Sequence, residues 1–111
     1  MDPIKAEYEV LVQKIKQCLP IKAFPTTELV SKIRSQQPRL TPESEFLIED
    51  IINTGDISGI LCIIDSKDVD GLACALTHIA IAPSEPLKTE IQKYQDKRAR
   101  RVDIQYKQRG N

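Results

Sequence analysis

The sequence predicts an α+β domain in which three helices are followed by a β-hairpin and a basic C-terminal helix. The chain has 111 residues, 41% hydrophobic and 29% charged, as in an ordinary globular domain. Apolar residues recur every three or four positions in the first half, which is typical of amphipathic helices. After Gly55 the sequence becomes rich in β-branched residues, which favours strands. We therefore expect a single domain over residues 1–111.

The first predicted helix covers residues 3–19. Asp2 is a suitable N-cap residue, and Pro3 is tolerated at the first helical position because its missing N–H is not needed there. Pro20 ends the helix. One apolar stripe runs along it, formed by Ile4, Tyr8, Leu11, Ile15 and Cys18 or Leu19.

Two further helices are predicted over residues 26–36 and 43–54. Each begins near a threonine that can cap it, Thr26 or Thr41, and each has acidic residues in its first turn. Gly55 is a natural stop for the third helix. That helix would bury a wide apolar face, formed by Phe46, Leu47, Ile48, Ile51 and Ile52.

A β-hairpin is predicted from strands at 57–64 and 72–82, joined by a segment rich in turn residues. Pairing residues whose numbers sum to 136 places three apolar pairs on one face, namely Ile60–Leu76, Cys62–Cys74 and Ile64–Leu72. A helix over 69–80 is the alternative, because this segment has good helical propensity. The hairpin is favoured because the preceding strand needs a partner.

The last predicted helix covers residues 86–104 and is followed by a frayed tail at 105–111. Its apolar spacing is marked by Leu87, Ile91, Tyr94, Arg98 and Val102. Cations gather in its C-terminal half, where they suit the helix dipole.

The segment Gly55-Asp56-Ile57-Ser58-Gly59, after a helix that starts near Leu40-Thr41-Pro42, is similar to the wing entry of a winged-helix domain. The resemblance is to the winged helices of PCI and DDRGK-type proteins and covers about residues 24–82. It implies a winged-helix-like fold with an added helix at each end.

The charges of this region disfavour DNA as the partner of such a winged helix. The third helix would present Glu43, Glu45, Glu49 and Asp50, and the wing tip carries Asp65, Asp68 and Asp70 against a single Lys67. These charges would repel phosphate. The resemblance therefore implies a protein-binding member.

No catalytic or cofactor motif is present, and we expect neither enzymatic activity nor a cofactor. His78 is the only histidine. A metal site from Cys62, Cys74 and His78 would lack a fourth ligand, so reduced, buried thiols are favoured over it. The aspartates at 65–70 do not fit the positions of a calcium loop. We predict no metal site.

The composition predicts a cytoplasmic protein without membrane association. Charged residues interrupt every apolar run at the start of the chain, so no signal peptide is predicted. No stretch approaches the ~20 apolar residues that span a bilayer.

A basic cluster near the C-terminus is the candidate binding site. Residues 1–83 carry 8 Lys and Arg against 12 Asp and Glu, whereas residues 84–111 carry 8 against 4. Cations interleaved with tyrosines suit single-stranded nucleic acid or RNA, and the alternatives are a solvated helix face or an acidic protein partner. The predicted function is a non-enzymatic protein-interaction adaptor that binds another protein or itself as a homodimer; nucleic-acid binding is the alternative. The candidate contact residues are Lys93, Tyr94, Lys97, Arg98, Arg100, Arg101, Tyr106, Lys107 and Arg109.

Overall fold

The computed structural model describes the backbone of residues 3–109 and the side chains of residues 3–69 and 71–102. These residues form three α-helices and one antiparallel sheet of five strands. The helices are α1 Pro3–Cys18, α2 Thr27–Ile33 and α3 Lys88–Arg109. The strands are β1 Ile21–Pro25, β2 Phe46–Asn53, β3 Ile60–Ser66, β4 Val69–Ala75 and β5 Ile79–Ile81, with a 3₁₀ turn at Leu76–His78 between the last two.

The sheet is strongly curled. Its strand order is β4-β3-β2-β1-β5, so β4 and β5 are the two edges. The edges of a flat five-stranded sheet lie about 19 Å apart. The 3₁₀ turn is the only connection between them, and the step from Ala75 to Ile79 spans at most about 13 Å. The sheet must therefore bend until its two edges approach each other.

The hydrophobic core fills the concave side of this curl, where α1 and α3 pack together. The rings of Tyr8 on α1 and Tyr94 on α3 meet edge to face with their centroids 5.0 Å apart. Side chains of both helices join the inward side chains of the strands in one buried cluster. Its largest fully buried members are Phe46, Ile15, Ile21, Ile48 and Ile60. Burying each such side chain contributes about 1.5–3 kcal/mol.

The predicted third helix is wrong, because residues 46–53 form the strand β2. A β-bulge at Glu49–Asp50 inserts one extra residue, so both side chains lie opposite Ile63 and point outward. The inward residues Phe46, Ile48 and Ile51 are therefore spaced by two and then three positions. With the outward Leu47 and Ile52, the apolar pairs Leu47–Ile48 and Ile51–Ile52 lie four positions apart, which imitates a helical period. The capping signature at Thr41 forms a tight turn instead.

The hairpin register that the sequence predicts is confirmed in its central part. Cys62 pairs with Cys74 and Ile64 with Leu72, both at a sum of 136. The alternative, a helix over 69–80, is wrong for residues 69–75, because they form the strand β4. The predicted second strand does not continue to residue 82, however, because the 3₁₀ turn ends β4 at Ala75 and directs the chain to the opposite edge.

The winged-helix-like fold class is wrong as well. The five-residue phrase Gly55–Gly59 follows a strand, and it closes the β2–β3 hairpin. The short strand β1 lies between β2 and β5 inside the sheet, whereas the sequence predicts no strand before residue 57. Consecutive helices followed by one hairpin therefore do not describe the chain.

The other three predicted helices correspond to α1, α2 and α3. The α3 backbone continues to Arg109, past the predicted end at residue 104, and residues 110–111 lie outside the described part. None of the helices in the described residues is long and apolar enough to cross a membrane.

Candidate protein-interaction surface

Tyr94, one of the predicted contact residues, is buried in the core. Its hydroxyl accepts a hydrogen bond from the backbone N–H of Ile60 at 2.9 Å. Gly59 permits this approach, because a Cβ there would lie 2.5 Å from the Tyr94 hydroxyl oxygen. Burial raises the pKa of Tyr94. The ring therefore joins α3 to the β2–β3 hairpin and is not exposed for stacking on a base.

Arg98, one turn further along α3, is also used inside the protein. Its Nη1 lies 3.1 Å from Oδ1 of Asp56, and its Nη2 donates to the Asp56 carbonyl at 3.2 Å. The side chain is only 8% exposed. A buried guanidinium needs such a partner, because desolvating a charge without one is costly. Arg98 therefore holds the turn between β2 and β3 against α3.

Lys97 and Arg101 share one carboxylate on α1. Both donate to Glu7, Arg101 at 2.8 Å, and Arg101 also donates to the Tyr8 hydroxyl at 3.2 Å. The hydrogen bond from Lys97, followed by that from Arg101, lowers the pKa of Glu7 below its ordinary value. These two cations are therefore partly neutralised within the fold.

The other candidate contact residues fall into two groups, those exposed on α3 and those whose side chains are not described. Lys93 and Arg100 are exposed on α3. The side chains of Tyr106, Lys107 and Arg109 lie outside the described residues. The predicted basic site stays a prediction, and its best-placed described members are Lys93 and Arg100.

The histidine and the paired cysteines are not arranged as a catalytic or reactive group. Burial, with a smaller contribution from Lys32, lowers the pKa of His78, so the imidazole is neutral at pH 7. Cys62 and Cys74 are buried free thiols on adjacent strands. Burial raises both thiol pKa values, that of Cys74 to about 11, so neither is a reactive thiolate at neutral pH.

A metal-binding constellation is likewise not found in the part of the chain that the structure describes. No group of three or more His, Cys, Asp or Glu residues in that part could hold a metal ion. The 66–68 turn that follows Asp65 is a tight hairpin connection, in which the Asp68 N–H donates to the Ser66 hydroxyl at 3.3 Å. The turn is thus explained by local hydrogen bonding.

The convex side of the sheet carries apolar side chains on β2, β3 and β4. Ladder pairing places Ile52, Leu61 and Ala75 in one row and Ile63 beside Ala73 in the next. Ile52 is 50% exposed, Ala73 is exposed, and the other three are half-buried. These five residues are called the convex patch below. The opposite, inward side chains of the same strands are buried, apart from the half-buried Leu72, so both faces of these strands are apolar.

Acidic residues border the convex patch. Glu49 and Asp50 project outward at the bulge, and Asp65 lies across from Leu47 on the same face. All three acidic residues are exposed. The nearby cation Lys22 is already paired with Glu45 at 2.9 Å. The border is therefore negative.

A groove of about 600 Å³ continues the convex patch at the C-terminal end of β4. Ala75 belongs to both. The groove is lined by the 3₁₀ turn, the start of α2 and the last described part of α3, where Val102 is 44% exposed. Glu28 contributes an exposed carboxylate to its wall. The apolar surface thus extends beyond the sheet itself.

Sequence reasoning missed this surface because it assigned Leu47 and Ile52 to a buried helix face. The available signal was the runs Ile51–Ile52 and Leu61–Ile64, which do not alternate with polar residues. A half-buried strand alternates, whereas these runs require either a cover on both faces or an exposed apolar face.

Comparison with known proteins adds no family: no protein-family model, curated protein or solved structure matches this chain. Its functional interpretation therefore depends on the geometry of the convex patch and its border.

Proposed function

We propose that this protein is a non-enzymatic protein-interaction module that docks a partner on the convex patch. The observation that carries the proposal is the exposure of apolar side chains on a sheet face whose opposite side is already packed. Contiguous exposed apolar patches with a polar border mark interaction sites in soluble proteins. Ile52, which is exposed near the end of β2, is the best candidate for a side chain that a partner would bury.

The border charges indicate the chemistry of the partner. Glu49, Asp50 and Asp65 place negative charge along one border of the apolar residues. A matching surface would present apolar side chains bordered by lysine or arginine, because complementary charges favour encounter and suppress wrong partners. We therefore propose a protein partner with a basic rim.

The test compares two aspartate substitutions of exposed aliphatic residues. Ile52→Asp places a charge in the convex patch, whereas Val10→Asp makes the same kind of change on α1, where Val10 is 64% exposed. Both positions are exposed, so both variants are expected to fold. Proteins captured from a lysate by the wild type and by Val10→Asp should be lost with Ile52→Asp.

A captured protein counts only after reconstitution from pure components. Calorimetry should then show binding that Ile52→Asp weakens by at least about 2 kcal/mol, as expected for a central interface residue. Val10→Asp should leave the affinity within a factor of about two. Equal binding by all three proteins would contradict docking on the convex patch.

Nucleic-acid binding through α3 remains the alternative proposal. The structure favours it less, because the described members of the basic cluster are largely engaged with Glu7, Asp56 and the core. Lys93 and Arg100 are the exposed residues on which it would depend first.

A further inference from the structure

The two edges of the sheet differ in how they are protected. Along β5, the Gln95 amide donates to the carbonyls of Leu76 at 2.8 Å and Ile79 at 2.7 Å. Lys88 reaches the Ile81 carbonyl at 3.4 Å. Side chains of α3 therefore occupy acceptors that another strand would otherwise use. Among the hydrogen bonds of the described residues, none brings a side chain to the backbone of β4.

The regular part of β4, Leu72–Ala75, also lacks the usual means of protecting an edge. Natural edge strands carry lysine, proline or inward-pointing charges that prevent a further strand from pairing. β4 has the sequence VDGLACA and contains neither lysine, arginine nor proline. Its outward side chains are small, so a second backbone can approach. A bulge near Gly71 interrupts the pairing with β3, and the stretch Leu72–Ala75 beyond it is regular.

We propose that this protein forms a homodimer in which β4 of a second copy pairs antiparallel with β4 of the first. The proposal goes beyond the proposed function, because the second copy would bind at the β4 edge and leave both convex patches exposed. A two-fold axis perpendicular to the sheet at Ala73 places each copy's Ala73 beside the other's. Both convex faces then lie on the same side of one ten-stranded sheet, and the two convex patches become continuous across the axis.

Charge supports a second copy as the occupant of this edge. The antiparallel direction brings the 66–68 turn of one copy toward the groove at the end of the second copy's β4. Lys67 in that turn is exposed, whereas its acidic neighbour Asp68 is half-buried. The wall of the groove presents the exposed Glu28. Opposite charges therefore approach each other at both ends of the paired strands.

The symmetry of this arrangement avoids like-charge contacts along the strands themselves. Only one charged residue, Asp70, occurs in β4, and it lies three positions from Ala73. The backbones of the two copies at position 70 would be roughly 20 Å apart, beyond the screening length at physiological salt. Pairing between copies thus meets no repulsion at its centre.

The test measures self-association by sedimentation equilibrium of the full chain from about 1 to about 200 µM, a range that covers weak and moderate dimers. The wild type should reach twice the monomer mass of 12.6 kDa. Ala73→Lys places two lysines at the axis and should weaken association at least about tenfold. Ala80→Lys is the matched control, since Ala80 is an exposed alanine on the protected edge, and it should associate like the wild type.

A charge swap tests the direction of pairing without touching β4. Lys67→Glu and Glu28→Lys should each weaken the dimer about threefold or more, and the two together should restore it. A monomer at about 200 µM, or equal association of Ala73→Lys and the wild type, would overturn the dimer. Dimer formation without rescue by the double variant would overturn the antiparallel arrangement.

Failure of the dimer is distinguishable from failure of the proposed function. A monomer whose captured partner is still lost with Ile52→Asp would overturn the dimer alone. A dimer with unchanged partner binding by Ile52→Asp would overturn docking on the convex patch and leave self-association as the measured property.

Discussion

Replacing Gly59 with alanine is expected to destabilise this protein more than the same change at Gly71. Both glycines have positive φ, +68° at Gly59 and +67° at Gly71, so alanine at either position is strained by about 1–2 kcal/mol. Their surroundings differ. A Cβ at Gly59 would lie 2.5 Å from the Tyr94 hydroxyl oxygen and 3.1 Å from Arg98 Nε, whereas a Cβ at Gly71 meets nothing within 4 Å.

The additional cost at Gly59 follows from the hydrogen bond that the new Cβ displaces. The Tyr94 hydroxyl must move, and the Ile60 N–H then loses its acceptor at 2.9 Å. Leaving a buried N–H without a partner costs about 1–3 kcal/mol. The expected loss of unfolding free energy is therefore about 2–5 kcal/mol for Gly59→Ala and about 1–2 kcal/mol for Gly71→Ala.

Urea unfolding followed by circular dichroism measures both variants. A third variant, Tyr94→Phe, tests the mechanism, because it removes the oxygen that the Cβ of Gly59→Ala would meet. Alone it should cost about 1–3 kcal/mol, since the Ile60 N–H is again left without a partner. In the Gly59→Ala background its cost should be clearly smaller, which a double-mutant cycle detects as coupling.

Two results would refute this reasoning. The first is an equal loss of stability for Gly59→Ala and Gly71→Ala, within about 0.5 kcal/mol, which would leave only backbone strain. The second is an additive effect of Gly59→Ala and Tyr94→Phe. Either would mean that the contact between α3 and the β2–β3 hairpin contributes little to stability.

Three further predictions concern exposed or titratable groups. Of the three thiols, only that of Cys18 should react quickly with a disulfide reagent at pH 8, because burial raises the pKa of the other two; mass spectrometry would identify the labelled residue. The lowered pKa of Glu7 contributes stability above its unfolded value of 4.5, and this contribution is lost as the pH falls through the folded pKa. Glu7→Gln should remove that acid dependence, which amounts to less than about 1 kcal/mol of unfolding free energy because the ion pair is exposed. Urea unfolding at several pH values measures it, and an acid dependence unchanged in Glu7→Gln would contradict the reasoning. Any salt-sensitive binding of labelled RNA or single-stranded DNA, measured by fluorescence anisotropy, should fall in a variant with both Lys93→Ala and Arg100→Ala; binding that is unaffected would exclude these cations as the site.

The sequence predicted the helices at both ends of the chain because their signals are local. Pro3 and Pro20 bound α1, and the three- and four-residue apolar spacing within it has only one helical interpretation. The pairing of Cys62 with Cys74 was also predictable, because a tight turn between two apolar runs restricts the register.

The strand β2 could not be recognised from local signals. Its bulge at Glu49–Asp50 adds one residue to a period of two, so the apolar pairs Leu47–Ile48 and Ile51–Ile52 lie four positions apart, as they would on one face of a helix. What decides between them is pairing with β1 and β3, which are distant in sequence. β1 was missed for the same reason, since the four residues between Pro20 and Pro25 carry little strand signal alone.

The candidate site, like the fold, could be predicted only in part. A cluster of cations beside tyrosines predicts a binding surface, but sequence does not show that Arg98 meets Asp56 or that Tyr94 meets Ile60, 42 and 34 positions away. The convex patch was visible in the sequence as apolar runs that do not alternate with polar residues, and the residues of these runs were predicted to be buried.

By itself, then, the sequence determined the terminal helices, the β3–β4 register and the contrast between an acidic body and a basic end, because each depends on neighbouring residues or on the charge count. Only the tertiary structure decided which apolar face is packed and which is exposed, and which cations are paired. Those outcomes depend on the curling of the sheet around α1 and α3, and this curling results from contacts between residues far apart in the chain.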